Sequence, residues 1–338
     1  MFKQLCVSAV VGTRMHRLFA PFYGGHTSIL LLHRVRESDR SFEMNRELDV
    51  TPGFLDAWLS AAQEGGWRFV SLDYLLDNWD ECCRRKKNLV MTLDDGYRDN
   101  FQIAWPVFQK HRVPFTLYVT TSFPNRTADL WWYALADLIK SNDAVILDDP
   151  QRTVISTQDP HEAFTKLRGL YLSTQTVNQP SFLGSLKERY GTTYHVEKDL
   201  ITWEELMIMS KDPLCTIGCH TESHANLAGL TEEQASREIN DAKIELENRL
   251  GRPIVHFAYP YGKRPEASFR EMELTQRLRF RSAVTTRIGN LFEGHHAHLH
   301  LLPRIPLFEG GWRGRLTDLY QSGMYSALTH SFRHMVTD

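Results

Sequence analysis

Leu89-Val90-Met91-Thr92-Leu93-Asp94-Asp95-Gly96 is the stretch that decides the fold. Five consecutive apolar or β-favouring residues read as a strand buried on both faces, the pattern of a parallel sheet covered by helices. This strand delivers two adjacent carboxylates to its C-terminal end. Charge is costly inside a protein unless it is paired or bound to metal, which makes Asp94 and Asp95 candidates for chemistry. Taken alone, Asp-Asp-Gly reads more readily as a strand-ending turn, since turns favour both residue types.

Working outward, similar apolar runs recur at 29–32, 115–119, 215–217, 254–258 and 282–285, each ending in a polar or glycine-containing loop. Helical patterns separate most of them. Phe54, Trp58 and Ala61 recur at three- and four-residue steps between Pro52 and Gly65. Thr231-Glu232-Glu233-Gln234 and Thr202-Trp203-Glu204-Glu205 are capping boxes, and Gly251 followed by Pro253 stops the helix that the first one opens. Strands alternating with helices imply an α/β fold with a parallel sheet. Residues 125–199 break the rhythm and read as a polar, irregular insertion that shapes a substrate groove, with one helix expected over 132–139. Residues 1–26 read as an N-terminal helical segment and 27–338 as the main domain. Leu316, Leu319, Tyr320 and Met324 share a face of a C-terminal helix.

Composition narrows the function. The chain has 338 residues, 42% apolar, and a formal charge of −2, enough for a large core and without the basic excess of a nucleic-acid binder. Its five cysteines follow no disulfide or zinc-knuckle spacing and read as free thiols in a reducing compartment. Lys3 and the apolar patch 5–11 imitate an export signal only weakly, because Ser8 breaks the patch and Arg14, His16 and Arg17 follow it. A cytoplasmic location is expected. No acidic residue precedes Glu37, so the N-terminal helix is suited either to peripheral contact with an anionic membrane or to ordinary packing on the domain.

Two further motifs follow strands. Gly218-Cys219-His220-Thr221-Glu222-Ser223-His224 holds two histidines four apart, which can share a metal. With 15 histidines in the chain, the pair alone is weak evidence. Phe257-Ala258-Tyr259-Pro260-Tyr261-Gly262 alone reads as a turn. The three motifs together, in this order and each at a strand end, form a specific pattern. It resembles the polysaccharide deacetylase family, also called the NodB-homology family or carbohydrate esterase family four. Asp94-Asp95-Gly96 is similar to its Asp-Asp-Gly block, with Leu93 where Phe is usual. His220-Thr221 to His224 matches its His-Thr-x-x-His block, and Pro260-Tyr261-Gly262 its Pro-Tyr-Gly block. The resemblance spans roughly residues 28–307.

The resemblance implies a distorted, incomplete (β/α) barrel with the site at the strands' C-terminal ends. It implies a divalent metal, zinc by default, on Asp95, His220 and His224, with Asp94 as general base and the Tyr261 backbone N–H at the developing oxyanion. The reaction implied is removal of the acetyl group from an N-acetylated amino sugar. A reducing compartment suggests a lipid-linked or nucleotide-linked intermediate of a surface polysaccharide. Two departures follow. Ala258 occupies the position where many members carry an arginine for the catalytic aspartate, and Arg304 is the expected replacement. The general acid is expected early, at His33 in Leu30-Leu31-Leu32-His33-Arg34-Val35. That order resembles the permuted branch that includes poly-N-acetylglucosamine deacetylases. The competing source of the acid is the late group His295, His296, His298 and His300. Tyr259, Trp131 and Trp132 are candidates for stacking on a sugar ring, with core packing the equal alternative for the tryptophans. Two other functions fit the same residues: a metal-dependent amidase or O-acetyl esterase on another substrate, and a non-catalytic carbohydrate-binding scaffold.

Overall fold

A computed structural model describes residues 2–37, 49–148, 152–191 and 196–334. Seven parallel strands close into a barrel: β1 (Thr27–Leu32), β2 (Asn88–Leu93), β3 (Phe115–Val119), β4 (Cys215–Cys219), β5 (His256–Ala258), β6 (Ser282–Ile288) and β7 (Leu302–Pro306). Each strand pairs with the next in chain order, and β7 closes onto β1. Arg68–Phe69 adds a short edge outside β2. The barrel is incomplete, with seven strands rather than eight, and distorted where the β6–β7 register shifts between Val284 and Ile288.

Every residue of β1 and β2 is buried, as their unbroken apolar runs require. Ile29, Val90, Tyr118, Val284 and Leu302 fill the barrel interior. Their neighbours Leu30, Leu32, Met91 and Leu93 pack outward under helices. Alternation along each strand thus sorts one set of side chains inward and the other outward. Inside, the Tyr118 ring lies so close to Gly218 that a Cβ there would sit 2.5 Å from its Cδ1.

The helices follow their sequence signals. Helix Glu232–Leu250 opens on the Thr231/Gln234 capping box, ends at left-handed Gly251, and buries Ala235, Ile239, Ala242 and Leu246 along one face. A Ser or Thr cap of this kind contributes about 1 kcal/mol. Helix Trp203–Met209 opens on the Thr202/Glu205 box. At the N-terminus, helix Phe2–Gly12 packs along helix Gly311–Gln321, where Arg315 donates to the Ser8 carbonyl.

The segment between β3 and β4 is a correction to the sequence reading. It is not irregular. Helices Trp131–Ser141, Pro160–Ser173 and Gln179–Tyr190 and a hairpin of Ala144–Ile146 with Val154–Ser156 form a second apolar cluster. Phe164, Leu167, Tyr171, Leu183 and Leu186 supply that cluster at helical spacing. Residues 149–151 and 192–195 of the segment lie outside the described residues.

Candidate active site

Parallel pairing brings the motifs together. Leu32 of β1 stands opposite Leu93 of β2, so His33 and Asp94 leave the barrel side by side. Val119 of β3 stands opposite Cys219 of β4, and Cys219 opposite Phe257 of β5, which puts the next two motifs around the same rim. Asp95, Thr221, His224 and Tyr261 all have left-handed backbones, with φ of 79°, 65°, 59° and 62°. Such conformations cost energy for residues with a Cβ and tend to gather at functional sites.

Asp95, His220 and His224 converge. The Nε2 atoms of both histidines lie 3.4 Å from Asp95 Oδ1, and the three ligand atoms lie within 4.8 Å of one another. Oδ1 is buried with no hydrogen-bond partner, and 3.4 Å is too long for a good hydrogen bond. Two ligands of one tetrahedral ion at about 2.0–2.1 Å are themselves about 3.3–3.4 Å apart, the separation found here. The His220 Nδ1–H donates to the Ala258 carbonyl at 2.8 Å, which turns Nε2 toward Asp95. Burial lowers the pKa of His224 to about 4, so its imidazole is neutral, the form that binds metal. Burial opposes ionisation of Asp95, but His220 and His224 overcome it and hold the carboxyl far below its ordinary range. One buried carboxylate and two imidazoles therefore fit a divalent cation.

Asp94 is placed differently. Arg304, fully buried on β7, holds it with two parallel hydrogen bonds, Nη1 to Oδ1 at 2.7 Å and Nη2 to Oδ2 at 2.6 Å. Its Nε donates to the Thr285 carbonyl at 2.8 Å. The guanidinium expected to compensate for Ala258 is thus in contact with Asp94. Burial works against ionisation here as well, and Arg304 outweighs it and holds Asp94 below the usual carboxylate range. Each carboxylate oxygen keeps a second lone pair after accepting from Arg304, so Asp94 can still take a proton.

His33 is half-buried, and its Nδ1 has no partner. Sequence reading missed what fixes it. The His33 carbonyl accepts from Asn100 Nδ2 at 2.9 Å, and the Val35 N–H donates to Asp99 Oδ1 at 3.1 Å. Arg34 binds Asp99 Oδ2 at 2.6 Å, Tyr133 Oη at 2.6 Å and Asp199 Oδ1 at 3.1 Å. Its guanidinium carbon lies 4.5 Å from the centroid of the Tyr97 ring. The available signal was the polar pair Asp99-Asn100 soon after Asp95, which opens a π-helical turn, Asn100–Ala104. This network ties the segment carrying His33 to the inserted helices.

The three aromatic candidates for sugar stacking, Tyr259, Trp131 and Trp132, are buried. Tyr259 is fully buried, and its hydroxyl meets Thr275 at 3.0 Å and the His300 carbonyl at 2.9 Å. It has no face to offer a sugar. Trp131 and Trp132 are each 6% exposed, because the first turn of their helix is buried in the inserted cluster. Trp131 stacks on Tyr171 at 4.6 Å and reaches the Tyr261 hydroxyl at 3.4 Å. Trp132 meets His224 edge-on at 5.5 Å. Both build the wall of the site rather than an open stacking platform. The Tyr261 backbone N–H, by contrast, is paired with no acceptor among the described residues.

The late histidines lie elsewhere. The β6–β7 connection returns to the barrel's N-terminal end, where the Leu291 N–H donates to the Thr27 carbonyl. There His295 is buried and accepts from the Phe292 N–H at 3.0 Å. His300 Nδ1 meets Thr275 at 3.0 Å. This group lies at the opposite end of the barrel from Asp94.

Residues 169–277, which include the His220/His224 motif and β5, match the family described as polysaccharide deacetylase. No curated protein matches the chain in sequence. Among solved structures it is similar to the Streptococcus pyogenes deacetylase PplD in complex with acetate, at 16% identity and TM-score 0.57, over 87% of this chain and 97% of that one. It is also similar to IcaB from Ammonifex degensii, at 17% identity and TM-score 0.56, over 88% and 98% of the two chains. A third is BC0361, a polysaccharide deacetylase from Bacillus cereus, at 16% identity and TM-score 0.55, over 87% and 68%. At these identities the structural likeness establishes the fold, a NodB-type barrel.

Proposed function

We propose that this chain, a carbohydrate deacetylase of NodB type by its family match and fold, hydrolyses the N-acetyl group of an N-acetylhexosamine with a divalent metal, zinc by preference. The observation that carries the proposal is the unpartnered Asp95 Oδ1, 3.4 Å from both Nε2 atoms and next in sequence to a carboxylate held by Arg304. A cation held by Asp95, His220 and His224 supplies Lewis acidity toward the acetyl carbonyl and the attacking water.

This chain's own groups do the rest. Asp94, ionised and fixed by Arg304, takes a proton from the attacking water as its oxygen bonds to the acetyl carbon. The Tyr261 N–H donates to the carbonyl oxygen as negative charge develops there. An amine leaves poorly as an anion, so His33 protonates the nitrogen as the C–N bond breaks. The products are acetate and a free amino sugar. The wall of Trp131, Trp132 and Tyr261 excludes water and strengthens these interactions.

The finer substrate we propose is a lipid-linked or nucleotide-linked intermediate of a surface polysaccharide, handled in the cytoplasm. Unpaired Cys82, Cys83, Cys215 and Cys219 support that compartment; the side chain of Cys6 lies outside the described residues. The presence of Asp94 and all three ligands speaks against a non-catalytic scaffold. The test is acetate release from N-acetylglucosamine oligomers, from nucleotide-linked and lipid-linked N-acetylhexosamines and from O-acetyl esters, with and without a chelator. Chelator-sensitive release from an N-acetylated sugar supports the proposal. Release from esters alone would assign the site to an esterase.

A further inference from the structure

The two ends of the described chain meet on one surface. The short helix Ala20–Tyr23 packs against helix Met324–Thr329, and the Tyr23 ring lies 6.0 Å from Phe332 and 5.1 Å from His334. Around that contact Met15, Leu18, Phe22, Leu328 and Phe332 are each more than half exposed. Single exposed apolar residues are ordinary, but a group gathered on one face marks an interaction surface.

Charge says what kind of partner fits. Arg14, Arg17 and Arg333 are exposed beside these apolar side chains. Residues 1–26 hold Lys3, Arg14 and Arg17 and no acid. Asp318 is the acidic group facing His16 and Arg17. The whole chain carries −2, so the basic character is local to this end. Apolar side chains interleaved with arginines, on short helices lying along a surface, match the interface of an anionic bilayer, where rings enter the acyl boundary and guanidinium groups meet lipid phosphates. Among the described residues no helix is long and apolar enough to cross a membrane.

We propose that this surface docks the protein peripherally on an anionic lipid bilayer through Leu18, Phe22 and Phe332, with Arg14, Arg17 and Arg333 at the headgroups. Tyr23 leads into β1 at the N-terminal ends of the strands, and its carbonyl accepts from Asn290 at 3.3 Å. Asp94, Asp95 and His33 follow the C-terminal ends of β1 and β2. Docking therefore turns the mouth of the site away from the lipid by about 20 Å, the length of a six-residue strand. On the deacetylase reading, the sugar reached by the docked protein is one held off the bilayer.

The test uses the full chain and sedimentation with vesicles of phosphatidylcholine, with and without phosphatidylglycerol. Wild type should sediment with the phosphatidylglycerol vesicles, far less with phosphatidylcholine alone, and less as salt rises. L18S/F22S and R14E/R333E should each weaken binding about tenfold or more, with unchanged melting temperature and unchanged acetate release from a soluble substrate. Binding by wild type that both variants match would overturn the proposal, as would wild type remaining in solution with phosphatidylglycerol vesicles. A dimer that L18S/F22S dissociates, without vesicle binding, would assign the surface to a second copy of the chain. The acetate readout keeps a failure here separate from a failure of the deacetylase reading.

Discussion

Arg304 grips both oxygens of Asp94, with Nη1 on Oδ1 at 2.7 Å and Nη2 on Oδ2 at 2.6 Å, and both residues are almost wholly buried. β7 thus supplies a guanidinium that β5, with Ala258 at its end, does not. A fork of two parallel bonds fixes the plane of a carboxylate as well as its charge, and a lysine cannot imitate it.

Arg304→Met should therefore reduce both stability and turnover. Breaking a buried ion pair leaves an uncompensated charge, at a cost of roughly 3–5 kcal/mol. Loss of an orienting partner lowers activity by about 10–100-fold. Urea unfolding and acetate-release kinetics measure the two effects. Arg304→Lys should restore part of the stability and little of the turnover. Wild-type turnover in Arg304→Met would show that Asp94 needs no such support.

His33→Gln should keep its metal and lose turnover. General acid catalysis contributes about 10²–10⁴-fold, and the loss should be large for an amide. It should be small for an aryl ester, whose leaving group needs no proton. His295→Gln, at the other end of the barrel, should hydrolyse the amide at the wild-type rate. The reverse pattern would move the acid away from His33.

Tyr259→Phe tests the corrected position of that residue. Its hydroxyl bonds to Thr275 and the His300 carbonyl, so the variant should lose about 1 kcal/mol of stability and leave KM for a sugar substrate unchanged. A raised KM with unchanged stability would return Tyr259 to the cleft.

Stability should fall as the solution is acidified below neutrality. Burial lowers the pKa of His26 to about 4 and that of His295 to about 4, from 6.5. Between about pH 6.5 and 4 the unfolded chain binds more protons at these two positions than the folded one, so stability is present above that window and is lost as pH falls through it. Each contributes roughly 1–3 kcal/mol. Melting temperatures from pH 7 to 5 should drop less steeply for His26→Gln and His295→Gln than for wild type. Equal slopes would contradict the assignment.

Much of the barrel was legible because strands buried on both faces leave continuous apolar runs, and β1 to β6 all do so. β7 was fainter, expected only as a strand after the polar loop of the late histidines, because Pro303 and Pro306 interrupt its apolar run. They are accommodated where β7 pairs irregularly with β6 and where Pro306 stands opposite Leu31. The convergence of Asp94, Asp95, His220 and His224 was legible only through the family resemblance that the order and strand-end placement of the three motifs carry. The orientation of aromatics was not. Tyr259 and Tyr261 flank the same proline, yet one faces the core and the other the cleft. Which one does so depends on the left-handed backbone at Tyr261. The Arg34–Asp99–Tyr133 network joins segments distant in the chain, and no local pattern announces it.

Metal content measured together with acetate release, on wild type, Asp94→Asn and His220→Ala, tests the central claim most directly. Asp94→Asn should retain the metal of the wild type and lose turnover, and His220→Ala should lose both. Normal hydrolysis by Asp94→Asn, or undiminished metal in His220→Ala, would contradict a site in which one carboxylate binds the ion and its neighbour moves the proton.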